Sequence, residues 1–417
     1  MRLLSYSLIL MVLGLCLVLM ACSSDDDNPA SSPTTEVSTF WRTYDLGEYE
    51  YMGSIASVAG GATIVGGTAQ IEHIDSSGPT PVTYSRNEAM LVSCRPDGDT
   101  IWTNIRGERQ YSESIGSVID NYAGGCLAIV AQSYYGGPGS DFTLQRFGDD
   151  GTPGTFTQVN DTQFDDVYDI RECSDGNFIM AGRYWNFGIR SMAYYAKADP
   201  SAGIIWHKTF AYPNVAITGR RIFELPDSTL VLASTYDSLN GTGDHLHTLR
   251  LSATGDSLYA TVTPMGGELN VLDVAAVADG GYKLLLSQFA IPAEYAVYTV
   301  ARFDNLGTVK AKQISYGGND QYPGKGSFTS DGGAILCGHA QTGVAFNVGL
   351  LVKLDASGVV AWERTFADPE ASVSFYNVIQ TERGGYLIAG NRRLLLDDSY
   401  ESLLARADRN GRIPEAP

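Results

Sequence analysis

The chain of 417 residues is short of most features that would assign it to a simple class. Its six cysteines include no adjacent pair and no Cys-x-x-Cys, which excludes a dithiol redox motif and a zinc ribbon. Cations are scarce, 28 Lys and Arg against 47 Asp and Glu, so nucleic acid and anionic lipid head groups are poor partners. Only five histidines are present. Two of them, in His245-Leu246-His247, fall on one face of a strand, but with no third ligand nearby except Asp244 no metal is expected. No stretch of the body has the length or the 3.6-residue period of a helix. The one long apolar run, Leu3 to Val18, stands at the very start.

What the chain does have is glycine at fixed intervals. Doublets open short apolar strands at Gly60-Gly61, Gly124-Gly125, Asp175-Gly176, Asp227-Ser228, Gly280-Gly281, Gly332-Gly333 and Gly384-Gly385. The second residues of the doublets are spaced by 64, 51, 52, 53, 52 and 52. A second marker, Gly98, Gly151, Gly203, Gly255, Gly307, Gly358 and Gly411, runs in phase with the first. Aromatics follow it at Trp102, Phe156, Trp206, Tyr259 and Trp362. A period near 50 residues built from four short strands and tight turns predicts an all-β, seven-bladed β-propeller of four-stranded antiparallel blades.

The ends of the chain predict how the ring closes. Arg412-Ile-Pro-Glu-Ala-Pro417 carries two prolines where the last blade needs its outer strand, and proline cannot donate to a ladder. Phe40-Trp41-Arg42-Thr43-Tyr44 matches Ala361-Trp362-Glu363-Arg364-Thr365-Phe366, with Trp41 taken against Trp362, so the N-terminus is expected to supply that strand.

Ahead of it, residues 1–21 read as a signal peptide ending Leu19-Met20-Ala21-Cys22. This resembles a bacterial lipobox, which implies acylation at Cys22 and a membrane partner through the lipid anchor. The stretch 22–38 reads as an acidic, Ser-rich tether, and 39–417 as the propeller. Asp25-Asp26-Asp27 resembles the acidic export tag of Bacteroidetes surface lipoproteins, or simply begins the solvated tether. Localisation in the bacterial envelope, at the outer membrane, follows as the expectation. Losing Arg2 with the leader would leave 27 cations against 47 acids, a charge of −20.

The Gly-Gly-Tyr-Leu-Ile-Ala-Gly segments followed by Leu-Val-Lys-Leu-Asp-x-x-Gly-x-x-x-Trp resemble the propeller repeats of bacterial secreted and lipid-anchored proteins and of quinoproteins. The quinoprotein likeness implies a tryptophan that docks one blade on the next. Quinoprotein dehydrogenases have eight blades and adjacent cysteines beside the cofactor; this chain has neither, so no cofactor is expected. Ser93-Cys-Arg-Pro-Asp97-Gly98-Asp99-Thr100-Ile-Trp102 is similar to the Asp-box hairpin of sialidase propellers, a structural element there. Cys94, Cys126, Cys173 and Cys337 read as small buried hydrophobes, the alternative being a Cys94 to Cys126 bridge between neighbouring blades.

Three features bear on function. Cations recur at Arg146, Lys197, Arg250, Arg302, Lys353 and Arg406, one register in six of seven blades, which reads as scaffold. A polar ring of Ser57, Ser117, Asp169, Arg221, Asp273, Ser327 and Asn377 is expected to face the central channel. There Arg221 either neutralises Asp169 and Asp273 or joins them in acid and base work on a glycoside. Finally, the loops between second and third strands share one face and are rich in aromatics, including Tyr134, Tyr135, Tyr184, Trp185, Phe187 and Tyr236. Rings stack on sugars or anchor protein interfaces. The reading that follows is a lipid-anchored, non-catalytic module binding a glycan or an envelope protein. Its alternatives are a propeller glycosidase or lyase and a structural part of an envelope complex.

Overall fold

The computed structural model describes residues 38–417 apart from 48, 59–60, 76–80, 109–110, 135–139, 160–163, 186–189, 212–214, 238–243, 266, 291–294, 319–320, 343–345 and 415. The leader, the tether and Cys22 therefore lie outside the described residues. The body forms seven four-stranded antiparallel sheets arranged as blades. Blades 1 to 6 are contiguous, at 49–106, 111–159, 164–210, 216–264, 268–318 and 321–366. Blade 7 takes three strands from 371–407 and its outer strand, Phe40–Tyr44, from the N-terminus.

The repeat is sharper in space than in sequence. The residue that closes each first hairpin by donating its N–H back three residues is Gly61, Gly124, Gly176, Ser228, Gly280, Gly332 or Gly384. After the first interval these lie 52 residues apart without exception. All seven have positive φ, so the doublet's left-handed residue, and not always its second residue, is the true marker. The second marker is corrected in blade 3 alone, where the left-handed position is Ala202 (φ 69°) and not Gly203.

Burial is organised by interface. Seven apolar clusters of buried residues occur, one between each pair of neighbouring blades, the seam between blades 7 and 1 included. Each blade buries both faces, so the ring has no single core that could fold ahead of closure. At four places on the rim an aromatic of one blade covers the left-handed glycine of the next. A Cβ on Gly151 would come within 2.6 Å of Trp102, and one on Gly411 within 2.4 Å of Trp362.

At the seam Gly98 faces Phe40 in the same way, with a Cβ at 2.7 Å. Phe40 pairs with Arg406 as Trp362 pairs with Lys353, so Phe40 and not Trp41 is the counterpart of Trp362. Trp41, one residue on, turns to the opposite face and packs at 6.1 and 6.2 Å from Phe366 and Phe375. The same one-residue correction applies in blade 2. Phe156 is 63% exposed, and Thr155 holds the docking position, its hydroxyl donating to the Ser201 carbonyl at 2.7 Å.

The cations at one register are scaffold. Lys197, Arg250, Arg302 and Lys353 bind Asp175, Asp227, Asp279 and Asp331 of their own first hairpins at 2.6–2.9 Å. Arg146 and Arg406 donate to the carbonyls of Ala123 and Pro96. Cys94, Cys126, Cys173 and Cys337 are all buried and free, which removes the Cys94 to Cys126 bridge.

Candidate functional site in the central channel

The inner strands each carry one extra residue, a β-bulge, and this decides what faces the channel. Register shifts fall between Met52 and Ser54, Ile115 and Ser117, Val167 and Asp169, Gly219 and Arg221, Val271 and Asp273, Pro323 and Gly326, and Phe375 and Asn377. A bulge re-aims the side chains beside it. The channel dipeptides are accordingly Gly53-Ser54, Gly116-Ser117, Tyr168-Asp169, Arg220-Arg221, Leu272-Asp273, Gly324-Lys325 and Tyr376-Asn377. Ser57 and Ser327 are thus displaced from the ring position by Ser54 and Lys325, because hydrophobic alignment alone does not register an unpaired residue.

The ring residues staple neighbouring inner strands together. Ser54 Oγ accepts from the Val118 N–H at 2.8 Å, and Asp169 Oδ2 accepts from the Ile222 N–H at 3.0 Å. Asp273 Oδ2 accepts from the Phe328 N–H at 2.7 Å, and Asn377 donates to the Gly53 carbonyl at 3.1 Å. The remaining charge on the two aspartates is met by Arg171, whose guanidinium donates to Asp169 Oδ2 at 3.0 Å and to Asp273 Oδ1 at 2.6 Å. Burial alone would lower the Arg171 pKa, but the two carboxylates hold it raised. The expected neutralisation of two acids by an arginine is present, and the arginine is Arg171 in place of Arg221.

Arg221 has a different role. Its Nε donates to the Leu272 carbonyl at 2.8 Å and its Nη1 to the Arg220 carbonyl at 2.8 Å, and it makes no ion pair. Burial lowers its pKa.

Two cavities open from the channel. One, of about 330 Å³, is lined by Ser57, Ser117, Asp169, Arg171 and Asp273 among others, on the side of the first hairpins. The other, of about 320 Å³, lies on the side where the inner strands begin, which is also the side of the aromatic-rich connections. Its wall carries Tyr51, Tyr168, Tyr376, Arg220, Asn270 and Lys325. Tyr168, Arg221, Leu272 and Lys325 belong to both walls and mark the waist between them.

The three tyrosines are held in place individually. Tyr51 and Tyr376 lie 4.6 Å apart between ring centroids, and the Tyr376 hydroxyl donates to Asn391 Oδ1 at 3.1 Å. The Tyr168 hydroxyl donates to Asp166 Oδ2 at 3.1 Å, and the Arg220 guanidinium sits 5.4 Å above its ring. Burial, reinforced by Asp166 for Tyr168 and by Tyr51 for Tyr376, pushes both phenols up to about 12, so both are neutral donors at physiological pH.

The aromatic loop residues are distributed unevenly. Trp185 is 40% exposed, whereas Tyr184 and Tyr236 are half-buried against their blades, Tyr236 stacked on His245 at 4.7 Å. Tyr135 and Phe187 lie outside the described residues, as does the Tyr134 side chain. In blade 1 the expected loop from Gln70 to Arg86 is largely strand, because that hairpin runs through Thr63–Asp75 and Val82–Cys94. His247 is fully buried, and burial pulls its pKa down to about 4. Among the described residues no group of three His, Cys, Asp or Glu side chains is placed to hold a metal.

Arg171, Arg220, Lys325 and the three tyrosines escaped the sequence reading. The dipeptide spacing would have found Tyr168, Arg220, Lys325 and Tyr376, since Tyr168, Arg220, Leu272, Gly324 and Tyr376 stand 52 residues apart; Arg171 and Tyr51 lie outside that series.

No family model and no curated protein matches the chain. Among solved structures it is similar to an ulvan lyase of polysaccharide lyase family PL25, at 10% identity and TM-score 0.54, covering 89% of this chain and 97% of that one. The same lyase bound to -[GlcA(1-4)Rha3S]- gives a TM-score of 0.52, and polysaccharide lyase Uly1 gives 0.51 at 10% identity, covering 87% and 90%. An apocarotenoid oxygenase of Synechocystis gives 0.53 at 11% identity, covering 91% and 94%. What the chain shares with these proteins at such identities is the propeller fold.

Proposed function

We propose that the protein is a glycan-binding propeller whose ligand seats in the tyrosine-lined mouth of the central channel. The observation that carries this reading is the placement of Tyr168 and Tyr376 at bulge positions that blades 1, 2 and 6 fill with glycine, Gly53, Gly116 and Gly324. The ring closes without a side chain there, so the tyrosines answer a need other than closure. With Tyr51, which is 39% exposed, they line a cavity of about 320 Å³ that also presents the Asn270 side chain and the Arg220 guanidinium. Flat apolar rings interleaved with hydrogen-bonding groups suit the faces and hydroxyls of a sugar. That propellers of similar fold include polysaccharide lyases is in keeping with a glycan ligand.

A second reading, a glycan-active enzyme, draws on the same neighbours. Asp169 and Asp273 serve it poorly, since three of their four oxygens are taken by Arg171 and by backbone N–H groups of adjacent blades. Attachment through an acylated Cys22 at the outer membrane belongs to the proposal as well; Cys22→Ala should abolish palmitate incorporation, and equal labelling would remove the anchor. The binding reading is tested with a glycan array and calorimetry on the mature body. Tyr51→Ala and Tyr376→Ala should each weaken the best ligand by about 2 kcal/mol, as loss of a central aromatic anchor does. Appearance of shortened product during the same incubation would move the assignment to the enzyme.

A further inference from the structure

Among the described residues thirteen Lys or Arg side chains form ion pairs with carboxylates, as expected where acids outnumber cations 47 to 28. Three that share the wall of the tyrosine-lined cavity, Arg220, Arg221 and Lys325, form none. Arg220 donates Nε to Thr235 Oγ1 at 3.2 Å and otherwise only stacks on Tyr168. Arg221 donates to carbonyls, and Lys325 Nζ donates to the Gly53 carbonyl at 2.8 Å. Asp169 and Asp273 are turned to Arg171, and Asp244 and Glu268, the acids that act on Arg220, form no ion pair with it.

Three cations on one cavity wall, none of them in an ion pair among the described residues, are costly to hold, although Asp244 and Glu268 act on Arg220 and Asp169 acts on Arg221 and Lys325 from a distance. Leu272 occupies the equivalent bulge position in blade 5, so an apolar side chain fills that place when nothing more is asked of it. An anion entering the cavity would meet a wall that carries Arg220, Lys325 and Tyr168. We infer that the mouth of the channel is an anion site, formed by Arg220, Arg221 and Lys325, that takes a carboxylate or sulfate group. The inference rests on the glycan reading for its ligand class, an acidic saccharide, since the tyrosines would stack the ring that bears the charge. Burial and the neighbouring Arg221 bring the Lys325 ammonium down to about 8, only partly opposed by Asp169. Asp169, Arg221 and Cys337 are the titratable groups acting on it most strongly.

The test compares oligogalacturonate, its carboxyl-reduced neutral counterpart and sodium sulfate on the full body, in wild type, Arg220→Gln and Lys325→Met. Arg220→Gln is the cleaner variant, because Arg220 makes one side-chain hydrogen bond, within its own blade, and touches blade 3 only through the Tyr168 ring. Oligogalacturonate should bind and the neutral chain should bind at least tenfold more weakly. Arg220→Gln should cost the acidic ligand tenfold or more with the melting temperature unchanged, as loss of one charge-assisted hydrogen bond does. Affinity should also fall as pH rises through about 8 in wild type and not in Lys325→Met. Equal binding of acidic and neutral chains, or no loss in Arg220→Gln, overturns the anion site and leaves the glycan reading. Sulfate that raises the wild-type melting temperature but not that of Arg220→Gln, with no saccharide bound, keeps the anion site, assigns it to a free anion and removes the glycan reading. Neither saccharide nor sulfate binding overturns both.

Discussion

The rim and the channel of the propeller repeat with the same 52-residue interval, yet they use it in opposite ways. At the rim, Trp102, Trp206, Trp362 and Phe40 each cover the left-handed glycine of the following blade, Gly151, Gly255, Gly411 and Gly98. In the channel, the corresponding dipeptides run from Gly116-Ser117 to Arg220-Arg221 and Tyr376-Asn377, hardly two alike. The rim position touches the next blade, so its residue is dictated by a fixed partner. The bulge residue meets a different neighbour in each blade: Leu272 packs in the cluster joining blades 5 and 6, whereas a Cβ on Gly324 would come within 2.7 Å of the Phe375 carbonyl. A repeated position whose partner is not fixed by the repeat is where a ring scaffold can acquire a ligand.

The strongest way to break this contrast is at the rim. Deleting Phe40–Tyr44 removes the outer strand of blade 7, uncovers Gly98 and exposes the edge at Tyr400–Ala407. Because every blade buries both faces, one open interface should abolish the single cooperative unfolding transition, followed by circular dichroism on heating. An unchanged melting temperature would refute the seam.

Inside the channel the scaffold and ligand roles should separate by residue. Arg171→Ala strands Asp169 and Asp273 as neighbouring carboxylates, both largely buried, and should cost about 2 kcal/mol or more in urea unfolding. If Arg171→Ala is neutral, the aspartates are not scaffold and the enzyme reading regains its acids.

Lys325 sharpens the comparison through pH. Its folded pKa, about 8, lies below the ordinary lysine value of 10.5, so between the two the unfolded chain binds more protons than the folded one. Stability should therefore rise as pH increases from about 8 towards the ordinary lysine value, and be level with respect to this group below 8. Arg221, Asp169 and Cys337 are the charged and titratable groups that act on the ammonium. Lys325→Met should remove the rise, measured as the difference in urea midpoint at the two ends of the window.

Much of the rim was legible in the sequence and much of the channel was not, for one physical reason. Glycine at positive φ announces itself, because few other residues adopt that backbone, and it gave the blade count and the hairpins; the terminal prolines and an aromatic match gave the N-terminal closing strand. A bulge leaves no such mark. Aligning inner strands on their apolar residues set Ser57 and Ser327 where Ser54 and Lys325 stand, and it hid Tyr168, Arg220 and Tyr376 altogether. The same blindness to a one-residue slip put Trp41 in the place of Phe40 and Phe156 in that of Thr155. Asp169, Arg221 and Asp273 were recognised as channel residues, but Arg171, two residues from Asp169 on the same strand face, was the one that joins the acids.

The smallest expected effect tests whether the rim is governed by backbone conformation or by what covers it. Ser228 (φ 61°) and Ala202 (φ 69°) are the two positions where a marker glycine has been replaced. Ser228 is exposed at its hairpin tip, and its equivalents Gly176, Gly280, Gly332 and Gly384 share its left-handed backbone. Ser228→Gly relieves a strain of roughly 1–2 kcal/mol and adds about 0.4–1 kcal/mol of unfolded-state freedom, for a net stabilisation of about 0.5–1 kcal/mol. Ala202 is fully buried within the cluster joining blades 2 and 3, beneath an outer strand that offers Thr155 in place of a tryptophan. Its Cβ fills the space that an indole fills elsewhere, and its removal forfeits about 0.8 kcal/mol of burial, so Ala202→Gly should change the urea midpoint little. If Ala202→Gly stabilises as much as Ser228→Gly, conformation alone governs the marker positions and the covering aromatics contribute nothing to their identity.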